Sequence, residues 1–180
     1  MVCGTRRVLL LAGLACALVA LAVPSAALPA QKNALVTVSG VDSGVLRGLN
    51  GIRAQYGLTS LQVSPLLTAS ATQHSREMGA RGYFEHASAD GTLFWKRIAG
   101  WYASAGFGYW SVGENLLWSS PGIGSAAALR LWMASPEHRR NILNPDWREV
   151  GIAAFHFGAA PGVFGGVATT IITTDFGVRR

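Results

Sequence analysis

Both cysteines of this 180-residue chain, Cys3 and Cys16, lie within its first 27 residues. The rest of the chain therefore has no disulfide and no thiolate metal ligand to hold it together. It must fold by burying apolar side chains, and it is long enough for one such core. Half of its residues are hydrophobic and 13% are charged, which excludes a disordered polyelectrolyte. No self-similarity recurs at the roughly 20–50-residue periods of solenoids.

The cysteine-bearing segment reads as an export signal. Arg6 and Arg7 give it a basic start, and an uncharged run from Val8 to Val23 follows. That run is short of the ~20 apolar residues that span a bilayer. It ends in Pro24, Ser25 and Ala27, small residues that fit a signal-peptidase site. Cleavage is expected after Ala27, with Ala30 as the alternative. Arg6-Arg7 also resembles a twin-arginine signal, so the general secretory and twin-arginine routes both stay open. The expected location is secreted or cell envelope, with no membrane span left after cleavage. Setting Arg6 and Arg7 aside lowers the formal charge of +6 by two. The remaining basic residues are scattered, which suits an exported protein near anionic polymers and not a reader of nucleic acid.

Residues 28–42 read as a linker. Val45, Leu49, Ile52 and Tyr56 then recur at helical spacing, and Gly57 ends that helix. Ser64-Pro65 predicts the start of a second helix, with Leu67, Ala71, His74 and Met78 on its apolar stripe and Gly82 past its end. Ser120-Pro121 predicts a third helix, running to about Ala134, and Ser135-Pro136 a short fourth one, stopped by Asn144-Pro145. After Val150 the period changes to two. Val150, Ile152 and Ala154 alternate with smaller and aromatic residues, and 167–176 is rich in β-branched side chains. A hairpin with its turn over 158–162 is expected. A loop through 100–111 leads to a third strand around 112–116. Helices first and strands last make the class α+β with a small antiparallel sheet of about three strands.

No stock catalytic motif is present: no HExxH, no GxSxG, no P-loop. The polar residues in apolar surroundings are His74, His86, Glu114, Ser135, Glu137, His138 and His156. His74, on its helix's apolar stripe, reads as a packed core histidine, and His156 as a sheet residue. Glu137 falls in a first helical turn, where the dipole favours a carboxylate. Glu114 sits among Val112, Leu116, Leu117 and Trp118, where burial requires a partner. His138 lies near a helix start, which disfavours imidazolium. Two imidazoles and one carboxylate suit a divalent cation such as zinc, should His86, Glu114 and His138 converge.

The motifs Phe84-Glu85-His86, Gly113-Glu114-Asn115-Leu116, 132–143 (with Ser135-Pro136-Glu137-His138-Arg139), Val150-Gly151-Ile152 and Thr174-Asp175-Phe176-Gly177 together resemble the CAP superfamily. That superfamily comprises cysteine-rich secretory, antigen 5 and pathogenesis-related proteins, and the lack of cysteine points to its bacterial SCP-like branch. The resemblance covers about 43–177. It implies an α-β-α sandwich with a central cleft lined by two His and two acidic residues. These fall on His86, Glu114 and His138, while the second acidic position falls on Ser135, with Glu137 beside it. The resemblance thus implies a three-residue metal set completed by water.

The resemblance implies a non-enzymatic binding module whose cleft takes a lipid, a glycan, a protein partner or a divalent cation. The alternative is a metal-dependent hydrolase in which His86 and His138 hold the cation and Glu114 handles a water.

Overall fold

The computed structural model describes residues 36–38 and 40–180; the export segment and both cysteines lie outside the described residues. In chain order the elements are β1 (Val36–Thr37), α1 (Val41–Gln55), β2 (Gln62–Val63), α2 (Pro65–Arg81), α3 (Phe94–Trp101), β3 (Trp110–Ser119), α4 (Ser125–Ala134), α5 (Pro136–Ile142), β4 (Glu149–Ala160), a 3-10 turn (Gly162–Phe164) and β5 (Val167–Arg179). Among the described residues no helix is long and apolar enough to cross a membrane.

Alternation along β4 builds the architecture. Val150, Ile152 and Ala154 pack with Val45 and Leu49 of α1 and Trp132 of α4. The intervening Ala153, Phe155 and Phe157 pack with Ala71 and Met78 of α2. In β5, Ile172 and Phe176 join the first cluster and Ile171 the second. Side chains on a strand point alternately to opposite faces, so this pattern requires a helical layer on each side of the sheet. The result is the expected α-β-α sandwich. The sheet order is β1-β4-β5-β3, antiparallel throughout, with β2 added to β4 in parallel. The three long strands are thus joined by two short ones that the hydrophobic pattern did not indicate.

Close packing explains one motif. A Cβ at Gly151 would overlap the backbone of Leu67 and Thr68, so the start of α2 lies directly on β4. Gly82 ends α2 in the left-handed conformation (φ 74°), and its N–H donates to Met78 O.

Several expectations need correction. The stretch read as linker over 28–42 contains β1 and the first two residues of α1. Ser120-Pro121 does not open a helix; it is a cis peptide in the loop before α4, which starts at Ser125 behind Gly124. Ser64 and Ser135 do stand at N-cap positions, yet neither side chain makes a capping hydrogen bond. The helix α3 was not anticipated. Ile98 and Tyr102, at its end, pack against Leu67. β3 extends well beyond 112–116, because β5 supplies a partner for each residue from Trp110 (opposite Arg179) to Ser119 (opposite Thr170). Ladder hydrogen bonds there outweigh the weak strand preference of Gly, Ser and Asn. β4 likewise runs to Ala160, through an irregularity after Phe157, so the turn falls later than 158–162.

Candidate functional site

β3 is the last strand of the sheet, and the cleft lies along it. Glu114 of β3 pairs in register with Asp175 of β5. The loop after α2 carries His86, and α5 carries Glu137, His138 and Asn141. Together with Phe94 of α3 and Asn115 of β3, these residues line a cavity of about 300 Å³.

The His86 loop is held by two backbone anchors. His74 Nε2 donates to Glu85 O at 2.8 Å, and Arg97 Nη1 donates to His86 O at 2.9 Å. Because Nε2 faces a carbonyl it carries the ring proton, which leaves His74 Nδ1 buried without a partner. Burial, with the Arg97 charge nearby, pushes His74 down to about 3, so the ring stays neutral.

Glu114 is clamped at both oxygens. Oε1 shares a 2.7 Å hydrogen bond with His86 Nδ1, and Oε2 pairs with the Arg97 guanidinium. The Glu114 and Arg97 side chains are 1% and 2% exposed, whereas His86 is 54% exposed and faces the opening. Burial raises Glu114 to about 7 against the pull of Arg97. Burial and Arg97 together hold His86 below its ordinary value. Asp175 is completely buried, and burial together with Glu114 raises it well above the carboxylate range. The Ser70 hydroxyl and the Glu114 carboxyl are the polar groups nearest Asp175.

On the other side of β3, Asn115 Nδ2 donates to His138 O at 3.2 Å, and Asn141 Nδ2 donates to Asn115 Oδ1 at 3.0 Å. Trp147 Nε1 donates to Asn141 O at 2.9 Å. A Cβ at Gly113 would collide with Asn141 and Trp147, so glycine lets this amide chain reach the strand. These bonds hold α5 against β3 and position His138. The His138 ring is shifted downward by burial first and by His86 second, so the helix start is not the main cause of that shift.

The structure thus brings His86 and Glu114 into direct contact, and His138 into the same cleft without joining that contact. Glu137 lines the cleft; Ser135, at the junction of α4 and α5, is not among its lining residues. His156 lies on β4 with Nδ1 3.1 Å from Thr170 Oγ1, and takes no part in the cleft. Both Glu114 oxygens are engaged, so the ligands the cleft itself offers a cation are the two imidazoles: His86, oriented by Glu114 through Nδ1, and His138. Among the described residues no three His, Cys, Asp or Glu side chains are arranged to hold a metal.

Arg97, Asp175 and Asn141 were missed as site residues. Asp175 carried the same signal as Glu114, a lone carboxylate inside an apolar strand. Arg97 carried none, since its helix had not been recognised.

The family model described as "Cysteine-rich secretory protein family" (CAP) matches residues 46–164. The uncharacterised protein YkwD of Bacillus subtilis is 31% identical over 124 residues, covering 68% of this chain and 46% of its own length. An extracellular protein containing an SCP domain from Bacillus anthracis superimposes with a TM-score of 0.59 at 26% identity, over 78% of this chain and 41% of that one. An outer surface protein of Borrelia burgdorferi superimposes with a TM-score of 0.64 at 17% identity, over 83% of this chain and 100% of that one, a likeness of fold. The chain spans less than half the length of the two Bacillus relatives.

Proposed function

The chain belongs to the cysteine-rich secretory protein (CAP) family, and on that premise we propose that it is an exported envelope module that binds a ligand in the His86–Glu114–His138 cleft without chemical conversion. The observation that carries this reading is the clamp on Glu114. A carboxylate paired at one oxygen with His86 and at the other with Arg97 serves as a fixed floor that orients the His86 ring toward the opening, which suits a preformed binding surface. The cleft-lining residues also include no hydroxyl or thiol to serve as a nucleophile. What they offer is a rigid set of hydrogen-bonding groups around one aromatic ring: two imidazoles, the Asn115 and Asn141 amides, and the Glu137 carboxylate beside Phe94. These groups can bind the hydroxyls or amides of a ligand, while the larger apolar share of the lining packs against its carbon skeleton. The Bacillus anthracis relative, described as extracellular, agrees with export.

The test is an amide NMR titration of the mature domain with three probes: an acetamido-sugar oligomer, a short peptide and a short-chain phospholipid. Shifts centred on His86, Asn115, His138 and Asn141 with the sugar or the peptide, lost in His138→Ala, support the reading. Cleft shifts with the phospholipid alone would replace it with lipid binding. Shifts that avoid the cleft with every probe, or none at all, would overturn it.

A further inference from the structure

A second concavity opens between α2 and α3, and the cleft does not account for it. It measures about 270 Å³ and is lined by Gln73, Glu77, Asp90, Thr92, Lys96 and Trp101 among others. Trp101 ends α3 and is 44% exposed. Its Nε1 donates to Gln73 Oε1 of α2 at 2.7 Å. The indole is therefore fixed in orientation with its one polar atom satisfied, and its exposed surface is purely apolar. An aromatic ring left half in water, yet tied by a hydrogen bond across two helices, is held for contact and not for core packing.

The groups around it are polar and similarly held. Glu77 accepts a hydrogen bond from Tyr83 Oη at 2.8 Å, and its side chain is 18% exposed. Asp90 Oδ1 accepts the Thr92 N–H at 2.8 Å. The Lys96 amine lies over the Trp95 ring, 5.4 Å from its centroid. A flat apolar surface ringed by two carboxylates, a hydroxyl and an amine matches one kind of ligand. A pyranose ring presents an apolar face of C–H bonds that stacks on a π surface, and a rim of hydroxyls that carboxylates and amines bind. The concavity carries both signs, Glu77 and Asp90 beside Lys96 and Arg97, with Arg81 paired to Glu77. Such a balanced rim suits a neutral polyol better than the uniform charge of an anionic bilayer or a nucleic acid.

We infer that this concavity is a carbohydrate-binding subsite, in which Trp101 stacks on a sugar ring and Glu77, Asp90 and Lys96 bind its hydroxyls. It is separate from the cleft, although Arg97 lines it as well as holding Glu114.

The experiment follows the Trp101 indole N–H resonance, assigned with Trp101→Phe, as the mature protein is titrated with soluble gluco-, manno-, galacto- and N-acetylglucosamine oligomers up to about 10 mM. At least one oligomer should shift it together with the Gln73 and Thr92 amides, and those two amide shifts should need about tenfold or more oligomer in Trp101→Ala and less than that in Trp101→Phe. His138→Ala should leave this binding unchanged. Trp101 lies at a helix end, and a melting curve verifies that Trp101→Ala folds. Three results would overturn the inference: no oligomer shifts Trp101; the Gln73 and Thr92 amides of Trp101→Ala respond to sugar as in the natural protein; or only phosphatidylglycerol vesicles shift the resonance, which would make this a membrane-facing surface. Sugar binding lost in His138→Ala and kept in Trp101→Ala would place the sugar in the cleft, removing this subsite while leaving the cleft reading intact.

Discussion

Glu114 and Asp175 stand opposite each other on β3 and β5, two buried carboxyl groups sharing one cross-strand position, with the Arg97 guanidinium beside them. Like charges so placed do not both ionise. Burial raises both groups, Asp175 the more deeply buried of the two. The pair is therefore built around one negative charge at most, and Arg97 is its counterion. This makes the cleft floor a closed electrostatic unit, and its stability depends on Arg97.

Removing Arg97 leaves Glu114 Oε2 without its partner at a 1% exposed position and frees the His86 carbonyl. Arg97→Ala is expected to cost about 3–5 kcal/mol in urea denaturation near pH 8, where Glu114 is ionised. Adding Glu114→Gln should recover part of that loss, because no charge then remains to be compensated. Equal stability of Arg97→Ala and the natural protein would mean that the ion pair contributes nothing.

His74 governs part of the acid response. Its folded-state value near 3 lies below its ordinary 6.5. Between those values the unfolded chain binds a proton that the folded protein refuses, so stability is complete above about 6.5 and is lost as the pH falls towards 3. At about 1.4 kcal/mol per unit, several kcal/mol are at stake. In His74→Gln the amide can still donate to Glu85 O. That variant should lose less stability between pH 7 and pH 4 than the natural protein, as followed by thermal melts. Matching losses would show that His74 does not stay neutral when folded.

Gly151 sets the distance between α2 and β4. Gly151→Ala forces the helix off the sheet and is expected to destabilise by about 1–3 kcal/mol. It should also broaden the amide resonances of Leu67 and Thr68. A gain in stability would mean that the helix has room to move.

The exported form is expected to begin at Leu28, which intact-mass measurement of secreted protein will check. A mature form that keeps the Val8–Val23 run would make that segment an anchor.

Much of the layer plan was legible in the chain because it rests on local periodicity. The 3.6-residue stripes of α1 and α2 and the two-residue alternation of β4 each state which faces must be buried, whatever the rest of the chain does. The isolation of Glu114 in apolar sequence was legible for the same reason: a buried charge needs a partner wherever it lies. The errors fell where a partner strand or helix decides. Ser120-Pro121 carries a good helix-start signal and forms a loop. Trp110 and Ser111 carry weak strand signals and extend β3, because β5 is already beside them.

The amino-acid order alone therefore determined the α+β class, the helical and extended faces, and the need of Glu114 for company. The tertiary structure decided what that company is. Arg97 comes from an unforeseen helix, Asp175 from the neighbouring strand and His86 from a loop pinned by His74. Contacts between residues 17 to 61 positions apart are set by how layers stack and strands register. A one-residue slip of β3 against β5 would turn Glu114 to the opposite face, and no local pattern in the chain encodes that register.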